Sequence, residues 1–166
     1  MAVILIGGGA RSGKSRYALQ KARSIEGRRV FVATAEPLDD EMASRIARHK
    51  ADRGAEFETI EEPFLLAEVI LEATFDAMVV DCLTLWLSNL MFVGKDCGLE
   101  TEALIAAAQA ARGTVIFVTN EVGSGIVPDN ALARDFRDLA GTLNQRIAAI
   151  AREVYFMAFG QPLRVK

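Results

Sequence analysis

The chain has 166 residues, 51% of them apolar, with 19 basic and 22 acidic side chains and a net charge of −3. That length suits one domain over residues 1–166 with a sizeable core, and the mixed charge excludes the broad basic footprint of a nucleic-acid binder. No apolar run reaches the ~18 residues of a membrane span, and the first residues lack the leader and cleavage pattern of a signal peptide. Cys82 and Cys97 follow no metal or redox spacing, as expected of reduced thiols in a cytoplasmic protein.

Val3 to Ile6 is a short β-branched run, right for a buried parallel strand. Gly8, Gly9, Ala10, Arg11, Ser12, Gly13, Lys14 and Ser15 follow it as G-x-x-x-x-G-K-S, the phosphate-loop pattern. Its glycines let backbone N–H groups turn inward onto a polyphosphate. Lys14 then reaches the outer phosphates, and the Ser15 hydroxyl is placed to hold Mg2+. A helix from Ser15 to Ile25 adds the positive end of its dipole. The chain is therefore expected to bind a nucleoside triphosphate.

Val30 to Thr34 is a second buried strand, and Thr34-Ala35-Glu36 lies where open α/β sheets receive ligands. A helix from about Asp40 to Asp52 carries the one histidine, His49, among Arg45, Arg48, Lys50 and Arg53. His49 reads either as an ordinary histidine on a solvated helix or as a group doing phosphate chemistry among cations. Phe57 to Ile60 is a short strand, and Pro63 suits the first turn of a helix to about Ala73. Ala77 to Asp81 is an apolar strand ending in a carboxylate. Asp81 is either a plain polar strand end or a nucleotide or Mg2+ ligand.

Leu83 to Phe92, with Trp86, reads as an apolar helix explained by core packing or a subunit contact. A loop follows over Gly94 to Gly98, then a helix over Glu100 to Ala111 that Gly113 closes. Thr114 to Thr119 is another buried strand. Val122 to Pro128 is an irregular loop at the ligand end of the sheet. Asp129 or Asn130 caps a helix to about Arg152, with Leu132, Phe136, Leu139, Leu143 and Ile147 on its buried side and Arg134, Arg137 and Arg146 solvated. Val154 to Phe159 is the last full strand, and Leu163 to Val165 a short edge. Five or six strands alternating with helices fit a doubly wound, mainly parallel α/β sheet.

These stretches resemble the bifunctional adenosylcobinamide kinase/adenosylcobinamide-phosphate guanylyltransferase family of cobalamin biosynthesis. Residues 8 to 15 resemble its phosphate loop. Leu-Asp-Asp-Glu-Met-Ala (38 to 43) and Arg-His-Lys (48 to 50) resemble its guanylylation helix. Thr-Asn-Glu-Val-Gly-Ser-Gly-Ile-Val-Pro (119 to 128), Leu-Ala-Arg-Asp-Phe-Arg-Asp (132 to 138) and Asn144-Gln145 resemble its C-terminal signature. The resemblance implies a P-loop NTPase fold of RecA-like architecture. It implies phosphorylation of adenosylcobinamide from ATP or GTP, then transfer of GMP from GTP to adenosylcobinamide phosphate, with release of pyrophosphate. It also implies GMP held covalently on a histidine, the position that His49 matches. By the same resemblance Ala33, Thr34, Ala35, Lys50, Ala51, Asp52, Arg53, Glu61 and Asp81 contact the guanine nucleotide, Ser15 and Asp81 serve Mg2+, and the assembly is a homotrimer.

Where many relatives carry two adjacent histidines, this chain has Arg48-His49. The stretch from Phe92 to Thr101 is shorter than in some relatives. A plain small-molecule kinase, with His49 structural, is one alternative. A nucleotide-driven switch is the other, although Asn120-Glu121-Val122-Gly123 stands where a guanine-reading switch carries Asn-Lys-x-Asp.

Overall fold

A computed structural model describes residues 2–36 and 54–166. Seven strands form one sheet: β1 (Ala2–Gly8), β2 (Arg29–Ala33), β3 (Phe57–Glu61), β4 (Ala77–Asp81), β5 (Thr114–Val118), β6 (Glu153–Ala158) and β7 (Gln161–Arg164). Their order is β3-β2-β4-β5-β1-β6-β7. All neighbours are parallel except β6 and β7, which form an antiparallel hairpin. The described helices are α1 (Lys14–Arg23), α2 (Leu66–Glu72), α3 (Leu83–Phe92), α4 (Cys97–Ala110) and α5 (Ala131–Ile150).

The central strands β1, β2, β4 and β5 are apolar on both faces because helices cover both. Val3 and Leu5 of β1, with Met78 and Val80 of β4, join one buried cluster with Leu66, Trp86, Leu104 and Leu143 from α2 to α5. Ile4 and Ile6, with Val79 and Ile116, face the other way onto Ala18, Leu19 and Ala22 of α1. The period of two along each strand thus sorts neighbouring side chains into two cores. The sheet is the doubly wound, mainly parallel one expected.

Several boundaries differ from the sequence reading. α2 starts at Leu66, not near Pro63, because the Glu62 carboxylate accepts from the N–H groups of Phe64 and Leu65 at 2.8 and 2.9 Å. α4 starts at Cys97, inside the expected loop, because Asp96 caps the N–H groups of Gly98 and Leu99. Gly113 does not close α4 by a left-handed turn. Its missing side chain instead makes room for Phe75, whose carbonyl oxygen would lie 2.4 Å from an added Cβ.

Asn130, not Asp129, caps α5. The buried side of α5 is shorter than the apolar spacing implies. Ala140, Leu143 and Ile147 are buried, whereas Leu132 is 68% exposed and Leu139 37%. Phe136 is partly buried against the first core cluster, while Leu132 and Leu139 belong to neither cluster. In α3 the outcome is opposite. Leu83, Trp86, Leu87 and Leu90 are all buried against the sheet, the core packing expected of this helix, while Phe92 at its end is 90% exposed.

Candidate functional site

The site is built where β1, β4 and β5 end. β1 stops at Gly8 and α1 begins at Lys14, with the phosphate loop between them. Gly8 must be glycine: its φ is 150°, and an added Cβ would sit 2.9 Å from the Met157 carbonyl oxygen. Arg11 and Gly13 take φ of 54° and 93°. Such left-handed residues in an otherwise right-handed turn bring successive N–H groups onto one concave side. No carboxylate stands in the first turn of α1 to compete for that positive end.

Lys14 is folded back over the loop. Its ammonium donates to the Gly9 carbonyl and lies 3.5 Å from the Ser12 hydroxyl. Burial lowers the Lys14 pKa, while the negative charge of Asp81 opposes that shift. Asp81 therefore stands close enough to act on the loop lysine, and Ser15 is its neighbour in sequence. A hydroxyl and a carboxylate, with water and phosphate oxygens completing the shell, are the donor chemistry that Mg2+ prefers. Among the described residues no cluster of three or more His, Cys, Asp or Glu side chains could hold a metal by itself.

Strand register lines up further candidates. Ala33 of β2 sits opposite Glu61 of β3 on one side and Asp81 of β4 on the other. Asp81 is opposite Val118 of β5, which is opposite Ile6 of β1, just before the loop. Glu61, Ala33, Asp81 and the phosphate loop thus share one end of the sheet. Thr34 continues from Ala33, but its side chain is buried and bound to the backbone of Cys82. His49, Lys50, Ala51, Asp52 and Arg53 lie outside the described residues, as does the helix expected to carry them.

The structure adds residues that the motifs did not single out. Asn89 of α3 donates to the carbonyls of Thr34 and Pro63 at 2.9 and 3.2 Å, holding the segments after β2 and β3 in place. Trp86 donates its indole N–H to the Phe64 carbonyl at 2.8 Å. No signal in the sequence sets Asn89 apart from Thr84 and Ser88 of the same helix. Beside β5, Thr119 donates to Asn144 at 2.7 Å, and the Thr84 hydroxyl accepts from the Asn120 N–H at 2.7 Å. Glu121 N–H donates to the Gly8 carbonyl at 3.0 Å, fastening the loop after β5 to the start of the phosphate loop. Arg134 is not simply solvated: it donates to the carbonyls of Pro128 and Asp129 at 3.0 and 2.8 Å. Arg146 pairs with Glu102 at 2.6 Å and Arg137 with Asp138 at 3.3 Å.

The profile of the family described as cobinamide kinase / cobinamide phosphate guanyltransferase matches residues 4–165. The chain belongs to this family. It is 40% identical over 187 residues to the bifunctional adenosylcobalamin biosynthesis protein CobU of Salmonella typhimurium, covering 99% of each chain. It is 43% identical over 167 residues to the corresponding CobP of Pseudomonas aeruginosa, covering 98% of this chain and 96% of that one.

Solved structures extend the likeness at the level of fold alone. The flagellar accessory protein FlaH of Methanocaldococcus jannaschii superposes with a TM-score of 0.55 at 13% identity, over 99% of this chain and 78% of that one. A type III secretion ATPase gives 0.56 at 13% identity, over 95% of this chain and 51% of that one. The architecture is that of the P-loop NTPases, in the RecA-like form. Among the described residues no helix is long and apolar enough to cross a membrane.

Proposed function

We propose that this member of the cobinamide kinase/guanyltransferase family carries both activities in cobalamin biosynthesis. It first transfers the γ-phosphoryl group of ATP or GTP to the aminopropanol hydroxyl of adenosylcobinamide. It then passes GMP from GTP to the resulting phosphate. The observation that carries this reading is the single line of Glu61, Ala33, Asp81 and phosphate loop along one end of the sheet.

In the first reaction Gly8 to Ser15 cradle the phosphates, and the Lys14 ammonium exchanges its bond to the Gly9 carbonyl for phosphate oxygens. That places one mobile positive charge on the oxygens where charge accumulates in phosphoryl transfer. Ser15 and Asp81 would hold Mg2+, which supplies charge neutralisation at the phosphates.

In the second reaction an imidazole nitrogen of His49 attacks the α-phosphorus of GTP. The P–O bond to pyrophosphate breaks as the P–N bond forms. An oxygen of adenosylcobinamide phosphate next attacks the same phosphorus, the P–N bond breaks, and the free imidazole returns with adenosylcobinamide-GDP as product. Ala33, Thr34, Ala35 and Glu61, with Lys50 to Arg53, are assigned to the guanine nucleotide. Thr34 acts there by holding the strand ends in place, since its hydroxyl is bound to the Cys82 backbone, its carbonyl accepts from Asn89 and its N–H donates to the Asp81 carbonyl.

A homotrimer fits the same reading. Exposed apolar side chains suited to such a contact include Phe92 at the end of α3 and Ile126, Val127 and Leu132.

The deciding experiment is incubation with Mg2+ and GTP labelled on its α-phosphate, then denaturation and intact-mass analysis, for wild type and His49→Ala together. An acid-labile GMP adduct present in wild type and absent in the variant is the expected result. Wild type without adduct but with kinase activity would reduce the chain to a monofunctional kinase.

A further inference from the structure

Trp86 and Asn89, three residues apart, share one face of α3. Both donate to main-chain carbonyls. Asn89 Nδ2 donates to Thr34 at 2.9 Å and to Pro63 at 3.2 Å. The Trp86 indole N–H donates to Phe64 at 2.8 Å. Thr34 is the residue after β2, and Pro63 and Phe64 lie just beyond β3. One nitrogen of α3 is therefore bonded to the exits of two neighbouring strands, at the end of the sheet assigned above to the guanine nucleotide.

The end of the strand ladder explains why these exits take a side chain. Ala33 of β2 and Glu61 of β3 are the last residues in register, and the Glu62 N–H donates to the Ala33 carbonyl at 3.0 Å. Beyond that bond the two chains leave the ladder, and a buried carbonyl must find another donor. Thr34 is fully buried. Asn89 brings both hydrogens of one amide nitrogen to the two carbonyls, a fork that a single hydroxyl at this position could not provide.

We propose that Asn89 is a positioning residue for GMP transfer, setting the separation of the β2 and β3 exits, and that the kinase step does not need it. The proposal rests on the reading that Ala33 to Ala35 and Glu61 receive the guanine nucleotide. The phosphate loop is fastened by other partners. Thr119 N–H donates to the Ile6 carbonyl and Glu121 N–H to the Gly8 carbonyl, each at 3.0 Å. Asp81 keeps its tie to β2 through the Thr34 N–H at 3.2 Å and through the Thr34–Cys82 pair. Removing the Asn89 amide breaks none of these, and the Trp86 bond still attaches the segment after β3. What is lost is the link that one donor makes between the two exits.

That separation matters because both exits are assigned to one ligand. Contacts from two neighbouring chains fix where the α-phosphorus lies relative to its nucleophile, and a misplacement of about 1 Å there costs about 10²-fold in rate. The phosphates are oriented instead by a contiguous loop between β1 and α1, tied to the segment after β5. Asn89 thus acts through Thr34 and Pro63 on the guanylyl donor and leaves phosphoryl transfer untouched. It divides the two reactions that share this end of the sheet.

The test compares wild type, Asn89→Ala and Asn89→Gln in two assays. One is phosphorylation of adenosylcobinamide with MgATP. The other is pyrophosphate release from MgGTP with adenosylcobinamide phosphate as acceptor. Urea transitions followed by the emission of Trp86, the one tryptophan, establish which variants are folded. In Asn89→Ala, kcat/KM for GTP in GMP transfer is expected to fall about 10- to 100-fold, while kcat and KM of the kinase step stay within about twofold of wild type. Asn89→Gln keeps both donors on a longer arm and is expected to lie between the two in GMP transfer, again with the kinase step unmoved. It carries the test if the alanine variant does not fold. Parallel loss of both activities would overturn the proposal, since Asn89 would then support the fold as a whole. GMP transfer at the wild-type level in every folded variant would overturn it too. A wild type that phosphorylates adenosylcobinamide but releases no pyrophosphate would instead sink the guanylyl reading of these exits, and the proposal with it.

Discussion

The Thr34 hydroxyl accepts a hydrogen bond from the Cys82 N–H at 2.8 Å and returns one to the Cys82 carbonyl at 2.9 Å. This reciprocal pair, fully buried, ties the end of β2 to the residue after Asp81. It fixes two of the strand ends on which nucleotide residues are assigned.

Thr34→Val keeps the shape and removes both bonds, leaving the Cys82 N–H and carbonyl buried without that partner. The expected cost is about 1–3 kcal/mol in urea denaturation, with a fall in turnover because Asp81 loses its support. Thr34→Ser restores the hydroxyl and recovers most of both. A valine variant as stable and active as wild type would remove the hydroxyl from this role.

Lys14 gives a prediction in which stability and activity part. Burial works against its charged form, with Asp81 opposing, so the ammonium is held at a cost to folding. Lys14→Met is expected to melt at or above the wild-type temperature while losing about 10²–10³-fold in kinase turnover, the usual scale for one positioned donor. A variant that is active, or inactive only because it is unfolded, would contradict this assignment.

Much of the fold was legible because strand and helix periods are local. The apolar runs at Val3 to Ile6, Val30 to Ala33 and Ala77 to Val80 are strands in the structure, and the G-x-x-x-x-G-K-S spacing sits between strand and helix. The phosphate loop was legible for the same reason, since its eight residues are contiguous. What escaped depends on partners distant in sequence. Nothing near Gly113 announces that Phe75 packs against it. Leu132 and Leu139 share a face with Leu143, but burial depends on what packs across from each, which spacing along one helix does not encode. Nothing in the sequence sets Asn89 apart from Thr84 and Ser88 of the same helix; its role needs Thr34 and Pro63 beside it.

The two cysteines are expected to differ sharply towards thiol reagents. Cys82 is buried, and burial together with the neighbouring charge of Asp81 pushes its thiol up to about 11. Cys97 is only partly buried, with a smaller rise led by burial. Since the thiolate is the reactive form, iodoacetamide at pH 8 should label Cys97 slowly and Cys82 only as the chain unfolds. Peptide mapping over a time course reads this directly. Labelling of native Cys82 as fast as Cys97 would mean that the β4 end opens far more readily than its packing implies.

Glu153 makes the phosphate-loop helix sensitive to acid. It accepts from Lys21 of α1 at 2.7 Å and from the Tyr155 hydroxyl at 2.6 Å, joining α1 to β6. Those two bonds, Lys21 first, hold its carboxyl below the ordinary 4.5. A carboxylate with a lowered folded-state pKa binds its proton more readily when unfolded, so its contribution is complete above about 4.5 and is lost as pH falls through the lower folded value. Both partners are partly exposed, so the contribution is about 1 kcal/mol or less. Urea midpoints for wild type and Glu153→Gln should therefore differ by a constant amount from pH 7 to about 5 and converge below about 4.5. A gap that persists undiminished well below that range would show that the glutamine is destabilising by its shape, and that the Lys21–Glu153 charge pair does not hold α1 to the sheet.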